Sequence, residues 1–259
     1  MVEFYKYHGA GNDFIIIDNR KKVFDCENKE KIRQLCDRHF GIGADGILLV
    51  EECGNCDFKM IYLNSDGSIG SMCGNGGRCI VDFVNRFLKI IKNPDNIRFM
   101  AVDGEHHAQI IKNGVIRLEM QDIENVGERN GLPFLKSGTT PHNIMFVENL
   151  QNFPVYETGK KLRYSDPDGV NIDFIEIKND VINMRTYERG VEDETLACGT
   201  GAVCTAVACF HLGKINTSPC KVKMPGGELT IEFEKDKNGT YKNIWLEGPA
   251  VCVFKGKIE

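Results

Sequence analysis

Two cysteines head the same short motif in the two halves of this 259-residue chain. Cys73-Gly74-Asn75-Gly76-Gly77-Arg78-Cys79 and Cys198-Gly199-Thr200-Gly201-Ala202-Val203-Cys204 both read C-G-x-G-x-x-C, close to half a chain length apart. A thiol can serve as acid or base because its ordinary pKa, about 8.5, is readily shifted by its surroundings. At a helix N-terminus it meets unpaired backbone N–H groups and the positive end of the macrodipole, which favour the thiolate. Glycines let a ligand approach that backbone closely, and the same N–H groups can hold a carboxylate. One thiol acting as base and one as acid on a single substrate can take a proton from carbon and return it on the opposite face. An amino acid's α-proton requires such equipment, because charge develops beside the carboxylate as it leaves.

The elements that must position these cysteines show as hydrophobic patterns. After the first motif, Ile80, Phe83, Val84, Phe87, Leu88 and Ile91 recur at helical spacing, which predicts one long amphipathic helix. After the second, Ala202 to Leu212 carries no Asp, Glu, Lys or Arg and predicts a helix buried nearly all round, stopped by Gly213. A third helix is expected from Asn28, as N-cap, to His39. Phe14–Ile17 and Ile47–Val50 read as buried strands, and Asn113-Gly114 between apolar arms as a hairpin turn. Leu229, Ile231 and Phe233 alternate with polar residues, as in a half-buried strand. The expectation is a mixed α/β (α+β) protein of two pseudo-symmetric domains, each a mostly antiparallel sheet wrapped around a central helix. The first domain covers residues 1–120 with a returning strand in 250–259; the second covers 121–249. Gln121 to Pro141, polar and broken by glycine and proline, reads as the linker.

Composition narrows the function classes. A formal net charge of −5, with no long basic run, argues against nucleic-acid binding. The start lacks a signal-peptide pattern and no apolar run is long enough to span a bilayer, so a cytoplasmic protein is expected. Eleven cysteines, an odd number, suggest mostly reduced thiols rather than a disulfide framework. Cys36, Cys79, Cys204 and Cys209 fall on apolar helical positions and read as packed hydrophobes. The C-x5-C spacing does not match common zinc sites, so no metal is expected there. Cys53-Gly54-Asn55-Cys56 lies in a polar loop; it reads as incidental, with a redox pair or half a zinc site as the other options. His8 reads as structural beside a glycine turn.

The motifs together resemble those of the diaminopimelate epimerase family. They are Lys6-Tyr7-His8-Gly9-Ala10-Gly11-Asn12-Asp13-Phe14, Asn64-Ser65-Asp66-Gly67-Ser68, the two cysteine motifs, Tyr187-Glu188-Arg189-Gly190, Glu194-Thr195-Leu196-Ala197, Pro225-Gly226-Gly227 and Gly248-Pro249-Ala250. The resemblance runs nearly end to end. It implies interconversion of LL- and meso-2,6-diaminopimelate without pyridoxal phosphate or metal, for lysine and peptidoglycan precursors, by a homodimer. Cys73 and Cys198 would be the acid/base thiols. Gly74, Asn75, Gly199 and Thr200 would bind the reacting carboxylate through the helix N-termini. Asn12, Asn64, Asn171, Glu188 and Arg189 would hold the distal amino acid end and the reacting amine, Arg189 as a bidentate carboxylate partner. His142 would assist Cys73, and Glu188 would assist Cys198. The chain departs from the family pattern at Thr140, where many members carry Asn, and at Gly46, where many carry Gln. Three other readings stand beside this one: a proline racemase-like enzyme, a thiol-redox or metal-binding protein, and a non-catalytic ligand-binding relative.

Overall fold

The computed structural model describes residues 1–164 and 168–258; residue 259, counted in the expected returning strand, lies outside them. The chain divides into two compact units, Met1–Leu118 together with the stretch from Gly248 onward, and Glu119–Glu247. Glu119 and Met120 thus fall in the second unit and Gly248 and Pro249 in the first, a shift of two residues from the expected boundaries.

The first unit runs β1 (Val2–Gly9), β2 (Asn12–Asp18), α1 (Lys29–Cys36), β3 (Gly46–Glu51), β4 (Phe58–Asn64), α2 (Gly74–Phe83), β5 (Ile97–Ala101), β6 (Gly104–Lys112) and β7 (Val115–Met120). Successive pairings are antiparallel for β1–β2, parallel for β2–β3, antiparallel for β3–β4, parallel for β4–β5, then antiparallel for β5–β6 and β6–β7. The second unit runs β8 (Gly127–Arg129), β9 (Leu132–Ser137), β10 (Thr140–Phe146), α3 (Val155–Arg163), β11 (Asn171–Lys178), β12 (Val181–Glu188), β13 (Asp193–Thr195), α4 (Gly199–His211), β14 (Cys220–Met224), β15 (Gly227–Lys235) and β16 (Tyr241–Pro249). Its pairings repeat the same order: β9–β10 antiparallel, β10–β11 parallel, β11–β12 antiparallel, β12–β14 parallel, β14–β15 and β15–β16 antiparallel. The helices fall at matching places, α1 and α3 after the second strand of this series, α2 and α4 after the fourth. The last strand, β17 (Val251–Ile258), returns to pair antiparallel with β1.

Both central helices are buried because their sequences permit it. Every residue of α2 is buried, and it packs against β1 to β4. In α4, Ala202 to Cys209 are buried, while Thr200 in the first turn and the C-terminal end from Phe210 reach water. The long helix expected through Ile91 stops earlier. It widens into a π-turn over Val84–Leu88, closed by Lys89 N–H donating to Val84 O at 2.8 Å, and Lys89 turns left-handed at φ 54°. The helix from Asn28 also ends early, at Cys36, while its N-cap forms as expected: Asn28 Oδ1 accepts from Lys31 N–H at 3.0 Å.

From Gly127 onward the expected linker is mostly strand. Within Gln121 to Pro141, β8 and β9 pair through an Asn130-Gly131 turn with both φ positive, 54° and 73°. Gly138 and Thr139 then form the two-residue loop into β10. Gly131 and Gly138 are hairpin-turn residues, Gly127 opens β8, and Pro133 and Pro141 lie within strands β9 and β10.

Candidate functional site

Cys73 is the residue before α2, in extended conformation (φ −110°, ψ 121°), and Cys198 holds the equivalent place before α4 (φ −123°, ψ 110°). Each therefore sits where a helix's first N–H groups lack intrahelical partners. The two surroundings differ.

Beside Cys73, Asn12 takes the central place. Its Oδ1 accepts from the Cys73 thiol at 3.4 Å and from Asn75 Nδ2 at 3.2 Å, and its own Nδ2 donates to Asp45 Oδ2 at 2.6 Å. Asp45 is tied to Arg38 (2.7 Å), Arg38 to Asp13 (2.9 Å), and Asp13 to Lys6 (2.6 Å). Burial alone would raise the Asp13 carboxyl, but hydrogen bonds from Arg38 and Lys6 hold it down at about 2. Arg78, wholly buried, braces the first turn of α2 from within: it donates to Asn75 Oδ1 (2.8 Å), Gly74 O (3.2 Å) and Pro249 O (3.3 Å). Burial pulls its guanidinium down to about 10. Asn64 closes its own turn, donating to Ser68 Oγ at 3.0 Å. His8 accepts from Gly11 N–H at 3.3 Å, as a turn residue would. At Gly46 a side chain has no room: a Cβ there would lie 2.4 Å from Leu63 O and 2.5 Å from the Tyr62 ring.

Beside Cys198 the polar groups come from the sheet. Cys198 Sγ lies 3.5 Å from Thr200 Oγ1, which lies 3.0 Å from His142 Nε2; His142 Nδ1 lies 2.7 Å from Asp173 Oδ2, and Asp173 Oδ1 accepts from Thr186 Oγ1 at 2.7 Å. His142 and Asp173 are both wholly buried. Asn171 is buried as well; its Nδ2 donates to Pro141 O (3.2 Å) and its Oδ1 accepts from Arg189 N–H (2.7 Å). Glu188 Oε2 accepts from Thr195 Oγ1 at 2.7 Å. Burial pushes the Cys198 thiol well above the ordinary range, and the charges of Glu188 and Asp173 add to the rise. Hydrogen bonds that Thr200 and the Gly201 N–H can make to the thiolate oppose the rise without prevailing. The lowered thiol pKa that a helix N-terminus favours is therefore overridden at Cys198, which burial holds in the protonated form. Arg189 reaches toward Asp168 O and Gly169 O at 3.4 and 3.5 Å. Thr140, in the place of a family Asn, opens β10, half-buried.

The sequence reading singled out Cys73, Asn12 and Asn75, and these meet in the first unit. It also named Cys198 and Thr200 at the head of α4, His142, Asn171 and Glu188 on strands β10 to β12, and Arg189 in the turn after β12. His142, expected to assist Cys73, is hydrogen-bonded within its own unit to Asp173 and Thr200. Asp45, Arg78, Asp173 and Thr186 were not singled out. Asp173 had a signal: an acidic residue flanked by the apolar Ile172, Phe174 and Ile175. In the strand register it stands opposite Thr186, its hydrogen-bond partner.

Cys79 and Cys204 are buried inside their helices, and burial pushes both thiols far up. Cys53 and Cys56, expected to be incidental, are joined as a disulfide with Cα atoms 5.4 Å apart in the β3–β4 loop. The loop brings the two cysteines within bridging range, which the spacing alone left open. Among the described residues, no three His, Cys, Asp or Glu side chains gather into a metal-binding group, and no helix is long and apolar enough to cross a membrane.

A family model described as diaminopimelate epimerase matches residues 4–123 and 134–253, once in each half of the chain. A diaminopimelate epimerase of Flavobacterium psychrophilum is 48% identical over 99% of this chain and 100% of its own length. One from Chlorobaculum tepidum is 42% identical over 96% and 98%. Among solved structures, a PhzF-family phenazine biosynthesis protein of Bacillus anthracis superposes with a TM-score of 0.75 at 16% identity, covering 100% of this chain and 99% of that one. A probable proline racemase from Agrobacterium radiobacter gives 0.71 at 14%, covering 100% and 93%; these two speak to fold alone. With two matching halves, repeated topology and near-complete coverage by close relatives, this chain belongs to the diaminopimelate epimerase family.

Proposed function

We propose that the chain interconverts LL- and meso-2,6-diaminopimelate by two-base proton transfer, with Cys73 and Cys198 as the two acid/base groups. The observation that carries this reading is the placement of one cysteine at the head of the equivalent helix in each of two units with the same strand order. Inverting an α-carbon requires a base on one face and an acid on the other. A thiolate takes the α-proton, the carbanion forms beside the carboxylate, and the second thiol supplies a proton to the opposite face. The N–H groups of Gly74, Asn75, Gly199 and Thr200 hold the reacting carboxylate and stabilise the charge as it develops. The raised Cys198 thiol enters as the acid, which leaves Cys73 as the base in the direction that starts from that resting state. After turnover the protonation states are exchanged, and the reverse reaction starts from there.

Asn12, Asn64, Asn171, Glu188 and Arg189 are the groups proposed to hold the amine and the distal amino acid end. Arg189 suits a carboxylate through paired N–H donors. His142 and Glu188 assist the thiols. The hydrogen bond to Thr200 gives His142 a link to Cys198 besides the role at Cys73 that the resemblance assigns. A cytoplasmic homodimer is the proposed working form. Cys73→Ala and Cys198→Ala should each lower turnover by at least about 10²- to 10⁴-fold while leaving the unfolding midpoint nearly unchanged. An alanine variant that epimerises at the wild-type rate would remove its cysteine from the mechanism.

A further inference from the structure

Asp173 takes no part in the two-thiol chemistry as outlined, yet it is a wholly buried carboxylate two residues from a site asparagine. A buried charge is costly unless it is paired and hydrogen-bonded. Its partners are His142 Nδ1 at 2.7 Å and the Thr186 hydroxyl at 2.7 Å. Both of its oxygens are thus used, and Gly201 in the first turn of α4 presses against it: a Cβ there would lie 2.7 Å from Asp173 Oδ1. The carboxylate is wedged between strand and helix start in one position.

The ring of His142 can be oriented from its neighbours. The Asn171 amide is fixed by two backbone groups, since Oδ1 accepts from Arg189 N–H and Nδ2 donates to Pro141 O. The same Nδ2 lies 3.4 Å from His142 Nε2, so that nitrogen faces a donor and is the acceptor. The proton of the neutral ring then sits on Nδ1, pointed at Asp173. From this the remaining hydrogen bonds take one direction. Thr200 O–H donates to His142 Nε2, and the Thr200 oxygen is left to accept from the Cys198 thiol.

We infer that Asp173 is a positioning residue for epimerisation: by holding the proton on His142 Nδ1 it directs the chain Cys198 S–H to Thr200 to His142, keeping Cys198 as a loaded proton donor. The inference rests on the reading of Cys198 as an acid/base group. No bond other than hydrogen bonds changes in the resting chain. When Cys198 delivers its proton to carbon, the Thr200 hydroxyl can turn to the thiolate, and His142 Nε2 still holds the Asn171 N–H.

The test is Asp173→Asn, which keeps the shape and removes the charge. With its carbonyl toward Thr186, the new amide presents N–H to His142 Nδ1. The ring proton should move to Nε2 and reverse the chain, so that Thr200 donates to the Cys198 sulfur. Histidine-labelled ¹⁵N spectra should show His142, assigned by comparison with His142→Asn, switching from the Nδ1–H to the Nε2–H tautomer. The value of kcat/KM should fall about 100-fold, equally in both directions because the overall equilibrium is fixed, and mainly through kcat. His142→Asn combined with Asp173→Asn should be no slower than His142→Asn alone. Should Asp173→Asn fold poorly, Thr200→Val cuts the chain while keeping the buried pair: it should retain the Nδ1–H tautomer and still lose kcat. An unchanged tautomer in Asp173→Asn, multiplying losses in the double variant, or full activity in Thr200→Val would each overturn the inference. The tautomer is read without turnover, so it fails independently of the two-thiol reading, which the cysteine variants test.

Discussion

The heads of α2 and α4 offer the same thiol in the same backbone conformation, yet they are supported in different ways. In the first unit the brace comes from the helix itself: Arg78 folds back onto Gly74 and Asn75. The second motif has Val203 at that position and has no such brace. Its support comes from the sheet, through His142 on β10 and Asp173 on β11. Asn12, the partner of Cys73, is backed by a charged network that ends in the half-exposed Arg38 and Asp45. The chain behind Cys198 ends in groups closed to water. Repetition has kept what the helix terminus needs, a thiol and glycines, while the polar groups behind it have diverged. Two thiols with unlike surroundings are what a reaction with one acid and one base calls for.

The contrast can be broken first at Arg78. Arg78→Met removes the donors while filling much of the space, and leaves buried oxygens without partners. It should cost about 2–5 kcal/mol in denaturant unfolding and weaken substrate binding through the loosened α2 start. A loss under about 0.5 kcal/mol would show that the first helix terminus needs no brace.

A smaller effect separates two glycines at the same motif position. An alanine Cβ at Gly76 would meet Leu48 and Phe14 at 3.4 Å, an ordinary contact, whereas at Gly201 it would meet Asp173 Oδ1 at 2.7 Å. Gly201→Ala should destabilise by about 1–3 kcal/mol through crowding and lower kcat by displacing Asp173. Gly76→Ala should be neutral or gain up to about 1 kcal/mol, as alanine favours helix. Equal effects at the two positions would erase the difference between the two supports.

The smallest effect is in acid. The folded-state pKa of Asp13, about 2, lies below the ordinary unfolded value. Its contribution to stability is therefore present above about pH 4 and lost as pH falls through the folded value. Asp13→Asn should lower the urea midpoint at pH 6, and the gap to the wild type should close toward pH 2. A gap that persists at that pH would place the effect in packing rather than charge.

The sequence made the repeated motif legible because everything that defines it lies within seven consecutive residues. The central helices, the Asn28 cap and the Asn113-Gly114 hairpin were legible for the same reason: each is a local pattern. How the groups behind the thiols connect to them was not. Asn12 meets Cys73, and His142 meets Thr200, only through sheet register across distant stretches of chain. Only the acidic Asp173 between apolar neighbours in β11 gave a sign of it. The stretch from Gln121 to Pro141 misled because glycine marks hairpin turns as readily as linkers, its prolines lie within strands, and its short strands carry little apolar pattern.

The central claim is that each face of the α-carbon is served by its own thiol, and deuterium wash-in tests it most directly. Wild-type protein is supplied with LL-diaminopimelate in heavy water, and product and remaining substrate are followed at early times. A thiol carries a single proton, so the base holds the one it has taken while the opposite thiol delivers solvent deuterium. The account predicts meso product labelled at the inverted carbon while the remaining LL substrate stays unlabelled. Label entering the LL pool as fast as the product, or product retaining the substrate's own hydrogen, would contradict it.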